Sequence, residues 1–170
     1  RVVAVATAGG GGLGVVALGE CGLDGRDGMP PIEAQERALR AQLVLAAERK
    51  LPIILHVVRA HPRAFALVEE SGVRRGVWHG FAGPREAIAP AARLGLHFSV
   101  GGLVLRASAR RLREALPHLP AERLLVETDA PELAPARLVD VVAEVARLRG
   151  EDAAQVARLT AANARALYAI

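Results

Sequence analysis

Aromatic residues are scarce: one Trp, one Tyr and three Phe, 3% of 170 residues. A platform that grips nucleic-acid bases by stacking them on exposed rings needs more, so that kind of module is excluded. Cysteine occurs once, at Cys21. No internal disulfide can form, and a cytoplasmic location is expected. No apolar run reaches the roughly 18 residues needed to cross a bilayer, so no membrane association is expected. The first residues hold no basic segment followed by an apolar block and a small-residue cleavage site, so no secretory leader is expected. Lysine also occurs once, at Lys50; every other basic residue of the 22 is arginine.

What the chain does have is core material. Apolar residues make up 52% of it and charged residues 24%, and the mean hydropathy is +0.25. A disordered chain is therefore excluded. A mass of 17.9 kDa suits a single domain spanning residues 1–170. The net charge of +4 and the pI of 10.4 would by themselves favour a polyanionic partner. The abundance of Ala, Arg, Gly and Val has the look of GC-rich codon usage. The arginines are also interleaved with acids along the helices rather than massed in one patch. The charge is therefore discounted as a signal of partner.

Apolar runs and helical periods alternate. Strands are expected at Arg1–Ala6, Val15–Gly19, Leu51–Val57, Val73–His79, Leu96–Val100 and Arg123–Glu127. Between them, helices are expected at Pro31–Lys50, Pro62–Glu70 (closed by Gly72), Pro84–Leu94 (closed by Gly95), Ser108 to about Pro117, and Arg137–Arg149 (stopped by Gly150). Ser108 and His61 are the expected N-caps of their helices. Asp152 and Gln155 suggest a capping box for a last helix ending near Tyr168. Glu33/Arg37 and Glu36/Arg40 are spaced as i,i+4 pairs on the first helix, with Leu39, Leu43 and Ala46 facing inward. Such alternation implies βαβ units and a parallel sheet whose strands are covered on both faces. A doubly wound sheet and a (β/α)8 barrel both fit. A barrel normally takes about 250 residues and eight strands, so a complete one cannot be built from these residues alone.

The join Thr7–Gly14 is too short for the crossover that a parallel pair requires. Either its strands are not neighbours or a stretch of chain is missing there. It contains G-x-G-x-x-G (Gly9, Gly11, Gly14), but a strand follows where a dinucleotide fingerprint needs a helix, so a flexible or incomplete loop is the better reading.

Chemistry-bearing residues recur at one place in each unit. Glu20, His56, His79 and Asp129 each stand at the C-terminal end of a strand, where parallel α/β folds gather their functional crevice. Two imidazoles and two carboxylates form a donor set suited to divalent cations such as Zn, Mg or Mn. Each also has a bland role: a loop histidine, a partner for a neighbouring arginine, or a turn-forming Asp before Ala130-Pro131. It is their shared position that favours a site. His61, His97, His118 and Ser99 fit structural roles, and Cys21 fits a small buried residue beside Glu20.

The segments GECGLDG (Gly19–Gly25), AQLVLAAERKLPIILH (Ala41–His56), HGFAG (His79–Gly83), LLVETDAPELAP (Leu124–Pro135) and LTAANARALY (Leu159–Tyr168) resemble the TatD-related metal-dependent deoxyribonucleases. The likeness runs from Val15 to Ile170. It implies an α/β fold of the (β/α)8 metal-dependent hydrolase kind, here with about six of eight strands and the first and third missing. It implies Glu20, His56, His79 and Asp129 as metal ligands, with Glu20 shared between two ions and Asp129 also orienting or deprotonating the attacking water. It further implies divalent metal as cofactor, DNA as substrate, phosphodiester hydrolysis as reaction, and no obligate protein partner.

Three departures accompany the likeness. The family's opening His-x-His has no counterpart, because residues 1–19 contain no histidine. Its His-Ser-Arg becomes His56-Val57-Val58, with Arg59 one residue late, which puts a phosphate contact in doubt. The loop after ETDAP is shortened. Segments of a longer protein, absent from this sequence, are the expected explanation. A genuinely shortened chain is the alternative, and the mass of the natural protein separates the two. A hydrolase of another ester or amide, and a non-catalytic partial barrel, are the competing functional readings.

Overall fold

The computed structural model describes residues 3–8 and 13–170, with side chains from Gly14 onward. Its elements are β1 (Val3–Ala8), β2 (Leu13–Asp24), α1 (Ile32–Arg49), β3 (Ile53–Val58), α2 (His61–Ser71), β4 (Gly76–His79), α3 (Ile88–Arg93), β5 (Leu96–Val100), α4 (Arg110–Ala115), β6 (Leu124–Val126), α5 (Leu138–Arg149) and α6 (Ala153–Tyr168). The six strands form one sheet in chain order. Strands β2 to β6 are parallel, with helices between them, as the alternation of patterns predicts.

The exception is β1, which pairs antiparallel with β2. This overturns the expectation of a wholly parallel sheet. It also removes the need for a long crossover, because antiparallel neighbours can be joined by a short turn. Gly9 and Gly11 of the glycine run lie outside the described residues. The second strand also extends past Gly19 as far as Asp24.

The sheet's outer face carries the core. Ile53, Leu55, Leu96, Phe98 and Leu124 are fully buried beneath the helices. Helix α1 contributes Leu39, Leu43 and Ala46, the three residues its periodicity selects. Aromatic rings pack edge-on in series: Phe65 on Trp78 at 5.3 Å, Trp78 on Phe81 at 5.0 Å and Phe81 on Phe98 at 5.3 Å. Such tilted contacts suit the quadrupoles of the rings.

Helix ends follow local rules with some exchanges. Gly72 and Gly150 close α2 and α5 in the left-handed region, where glycine has no Cβ penalty. Asp152 accepts the backbone N–H of Gln155 and caps α6. Ala109, not Ser108, precedes α4, and Ala60, not His61, precedes α2. His61 instead lies over Trp78 with ring centroids 6.3 Å apart. The acids of α1 also pair differently from the i,i+4 expectation. Glu36 binds Arg63 at 2.5 Å and Arg40 binds Glu70, so these charges tie α1 to α2.

On the inner face, Val77 and Leu125 pack with Leu167 of α6, and Ile54, Ala164 and Tyr168 lie against them. Along β3, buried and half-buried residues alternate. The inner face is thus covered by α6 at Val77 and Leu125 and is more open along β3.

Candidate metal centre at the strand ends

A single irregularity decides where the first carboxylate points. Between β2 and β3 the register runs Leu18 with Ile53, then Cys21 with Leu55, so β2 spends three residues where β3 spends two. An inserted residue of this kind flips the side chains that follow to the opposite face. Leu18 and Cys21 are thereby both buried, while Glu20, Gly22 and Asp24 share the inner face. Gly22 is required at its position. Its φ is +154°, and a Cβ there would lie 1.8 Å from the carbonyl oxygen of His56. The bare backbone lets β2 run close beside His56.

Register then brings the others into line. His56 pairs with Gly22 on one side and His79 on the other. Glu20 Oε1 lies 3.5 Å from His56 Nδ1 and 3.3 Å from His79 Nε2. His79 Nε2 lies 3.4 Å from Asp129 Oδ1. All four residues expected at the site therefore come together, with Glu20 between the two rings. Asp129 is the most open, at 56% side-chain exposure, and holds a left-handed backbone with φ 54°.

Two carboxylates that sequence reasoning missed stand behind the histidines. Glu127 Oε2 lies 2.9 Å from His79 Nδ1, and its Oε1 accepts the backbone N–H of Gly80 at 2.9 Å. Buried Ser99 donates its hydroxyl to the same Glu127. Asp24 Oδ2 lies 3.2 Å from His56 Nε2. Asp24 is itself gripped by Arg26, whose Nε lies 2.9 Å from both carboxylate oxygens, and Gln35 braces its backbone. A carboxylate on the far nitrogen of an imidazole fixes ring orientation and raises its basicity. The missed signal was alternation: Glu20 and Asp24 are four apart on one strand, and Glu127 is two from Asp129.

Protonation follows from this crowding. The His79 imidazolium is held up to about 9, first by Glu127, then by Glu20 and Asp129, with burial opposing. His56 is also raised, chiefly by Glu20 and next by Asp24, against burial. Glu20 is lowered in return, mainly by its bond to His56. Arg26 holds Asp24 far below the usual carboxylate range. The Cys21 thiol is pushed up to about 12 by burial and by Glu20, so it is no nucleophile at neutral pH.

Could these groups hold a cation? Among the described residues, no three or more His, Cys, Asp and Glu side chains already converge in metal-holding geometry. The spacings are nonetheless those of adjacent ligands. Two donors each about 2.1 Å from one ion stand roughly 3.0–3.4 Å apart. The contacts of His79 Nε2 with Glu20 and Asp129 match that figure. Donor types, spacing and the supporting carboxylates all fit a divalent cation. Beside Asp129 opens a cavity of ≈ 420 Å³ walled by Gly101, Leu133, Arg106 and Arg137. That volume admits a small ligand. Among the described residues, no helix is long and apolar enough to cross a membrane.

A family model described as TatD related DNase matches residues 13–169. A protein of Citrobacter koseri named 3'-5' ssDNA/RNA exonuclease TatD is 40% identical over 173 residues, covering 92% of this chain and 66% of that protein. The protein of the same name from Escherichia coli K12 is 39% identical with the same coverage. The chain thus spans just under two thirds of the length of these curated relatives. In structure it matches YjjV, a TatD homologue from Escherichia coli K12, with a TM-score of 0.86 at 34% identity, over 92% of this chain and 64% of that one. A TatD family hydrolase from Entamoeba histolytica shares the fold, with a TM-score of 0.80 at 22% identity. Glu20, His56, His79 and Asp129 occupy the motifs on which the sequence resemblance rests, and with the match running from residue 13 to residue 169 the chain belongs to the TatD-related DNase family.

Proposed function

We propose that this protein is a metal-dependent phosphodiesterase that cleaves single-stranded nucleic acid, DNA in the first instance, with a metal-activated water. The observation that carries the reading is the row Glu20–His56–His79–Asp129, each member within 3.5 Å of another along the strand ends. The related exonucleases of Citrobacter koseri and Escherichia coli support it through the names they bear.

Glu20, His56, His79 and Asp129 are the residues that would hold the cation. Glu20 lies between the two rings and is placed to be shared if two ions bind. A bound divalent cation supplies Lewis acidity, acidifying a water and offsetting charge on a phosphoryl oxygen. The chain's own groups do the rest. Glu127 accepts from His79 Nδ1 and so aims Nε2 at the site; Asp24, clamped by Arg26, holds the His56 ring from its Nε2 side. Asp129, open to the ≈ 420 Å³ cavity, orients the attacking water and takes its proton on a carboxylate oxygen. The donor set of imidazole and carboxylate admits Zn, Mg or Mn. We place the activity in the cytoplasm, in keeping with a single, buried cysteine.

A nuclease assay with added Mg, Mn or Zn on wild type and Glu20→Gln tests the reading. Metal-dependent cleavage of a single-stranded oligonucleotide is expected, with loss of at least about a hundredfold in the variant. Equal activity in both proteins removes Glu20 from its role. A substrate panel adding small phosphoesters and lactones separates a nuclease from another hydrolase on this scaffold.

A further inference from the structure

Seven arginines are neutralised locally. Arg26, Arg40, Arg63, Arg113, Arg137, Arg147 and Arg149 each bind a carboxylate. Arg59, Arg85, Arg106 and Arg111 are exposed, and among the described residues none has a carboxylate within 4.0 Å. Other exposed arginines, among them Arg37, Arg49, Arg93, Arg158 and Arg165, also lack such a partner, but these four share one place in the fold. Arg59 follows β3 directly, Arg85 follows β4, Arg106 follows β5, and Arg111 stands in the first turn of α4 just beyond. Parallel topology puts the loops after these strands at one end of the sheet, the end that carries His56, His79 and Asp129.

The cavities at that end adjoin. The ≈ 420 Å³ cavity beside Asp129 shares Gly80 with a groove of ≈ 300 Å³. That groove runs under Arg59 and Arg111 past His61, Gly83 and Pro84, and no carboxylate lines it. It shares His61, Pro84 and Arg111 with a further cavity of ≈ 670 Å³, to which Arg85 and His118 contribute, with Glu86 and Glu114 also on its wall. Trp78 forms part of the groove's wall at 2% exposure, and its indole N–H has no acceptor among the described residues. Arg59 holds a left-handed backbone, φ 55°, which a non-glycine residue rarely adopts.

We propose that this groove is the path of a single polynucleotide strand leaving the candidate metal centre, with its phosphates gripped by Arg59 and Arg111. The proposal rests on the nucleic-acid reading above and adds the residues and the route. A planar guanidinium fork matches a phosphate's two oxygens. A single strand is flexible enough to follow a groove of ≈ 300 Å³ with Arg59 and Arg111 on its wall. Trp78 and Phe81 are buried, at 2% and 1% exposure, and offer no open stacking face. Recognition is therefore by phosphate, strongly salt-dependent and indifferent to base.

Fluorescence polarisation of labelled thymidine oligonucleotides in EDTA tests this without catalysis. Two-, four- and eight-residue strands are compared across a series of NaCl concentrations. Wild type should bind tighter as the strand lengthens. The Arg59→Ala/Arg111→Ala double variant should bind the eight-residue strand at least about tenfold more weakly at low salt. Its salt slope should fall by about 1.4, because each phosphate neutralised on a single strand adds about 0.7 to the slope. Arg40→Ala/Arg147→Ala, which removes the same charge from ion-paired arginines on α1 and α5, should bind like wild type. Arg59→Lys/Arg111→Lys should recover most of the slope and guards against misfolding of the alanine pair. Equal weakening in both alanine pairs, binding that does not depend on strand length, or equal affinity for a duplex overturns the proposal. Cleavage of the two-, four- and eight-residue strands with metal present is scored separately. Absence of cleavage of every strand length in wild type defeats the nuclease reading, while the EDTA titration still decides whether the groove takes a strand.

Discussion

Within β4, Trp78 is 2% exposed and wedged between Phe65 and Phe81, while its neighbour His79 points the other way, half-buried among three carboxylates. The same contrast runs through β3, where Leu55 is fully buried and His56 faces Glu20 and Asp24, and through β5, where Phe98 is fully buried and Ser99 donates to Glu127. Alternation along a strand sends successive residues to opposite faces. One face is dry and held by packing. The other gathers charge whose members each need a partner. A change of one residue in position thus exchanges a role in stability for a role in chemistry, which is why the bulge ahead of Cys21 matters so much to Glu20.

The strongest blow to the dry face is Phe98→Ala. It empties a fully buried ring site against Phe81. A loss of about 3–5 kcal/mol is expected, as for other buried Phe truncations. The denaturant midpoint measures it, and metal affinity measured below the unfolding transition should hardly move. A variant as stable as wild type would mean that the ring adds nothing to the core.

On the polar face, Glu127→Gln should act chiefly on the metal site. The amide oxygen can still accept from Gly80 and the amide nitrogen can donate to the Ser99 hydroxyl, so the fold should hold, less the stability that the charged His79–Glu127 pair contributes at neutral pH. His79 loses its charged partner, and metal affinity should fall by about 10–100-fold, the usual effect of removing a carboxylate behind a metal-binding histidine. Calorimetric titration with Mn or Zn reads this directly. Unchanged affinity would leave Glu127 with a structural part only. Arg26→Ala should act in the same direction and more weakly, within about tenfold. It frees Asp24 without removing it, and Gln35 still braces the backbone there. An Arg26→Ala effect larger than that of Glu127→Gln would reverse the ranking of the two histidines.

The amino-acid sequence makes one half of this comparison easy to see and hides part of the other. Strand ends carrying Glu20, His56, His79 and Asp129 stand out because apolar runs announce each strand and a charge ends it. Asp24 is hidden because Gly19 reads as the end of β2. Only the pairing with β3 reveals that the strand continues. Glu127 reads as the close of an apolar run, and its value depends on His79, 48 residues away. The direction of β1 is likewise out of reach, since an apolar run reports burial and not polarity of pairing. Interleaving of charges describes part of the helical surface, where Arg63, Arg40 and Arg147 are matched. It fails for Arg59, Arg85 and Arg106 beyond the strand ends and for Arg111 in the first turn of α4, because segments far apart in sequence meet only when the parallel sheet stacks their strands.

The gentlest discrimination between the faces is titration of the metal-free protein. His79 is raised from 6.5 to about 9 in the folded state, first by Glu127. A raised pKa contributes stability that is complete below 6.5 and is lost as pH climbs toward 9. His56, raised chiefly by Glu20, acts in the same sense. Glu144 on α5 is lowered from 4.5 to about 2, first by Arg147 and then by Arg113. Its contribution is complete above 4.5 and is lost as pH falls toward 2. Glu20 and Asp24, both lowered, add to that acid limb. A series of urea midpoints in EDTA should therefore decline on both sides of a maximum at about pH 5–6. Glu127→Gln should flatten the alkaline limb and leave the acid one, whereas Glu144→Gln should shrink the acid limb alone. An alkaline limb of full slope in Glu127→Gln would mean that the imidazolium of His79 draws its stabilisation from elsewhere, and the pairing that aims its Nε2 at the site would have to be abandoned.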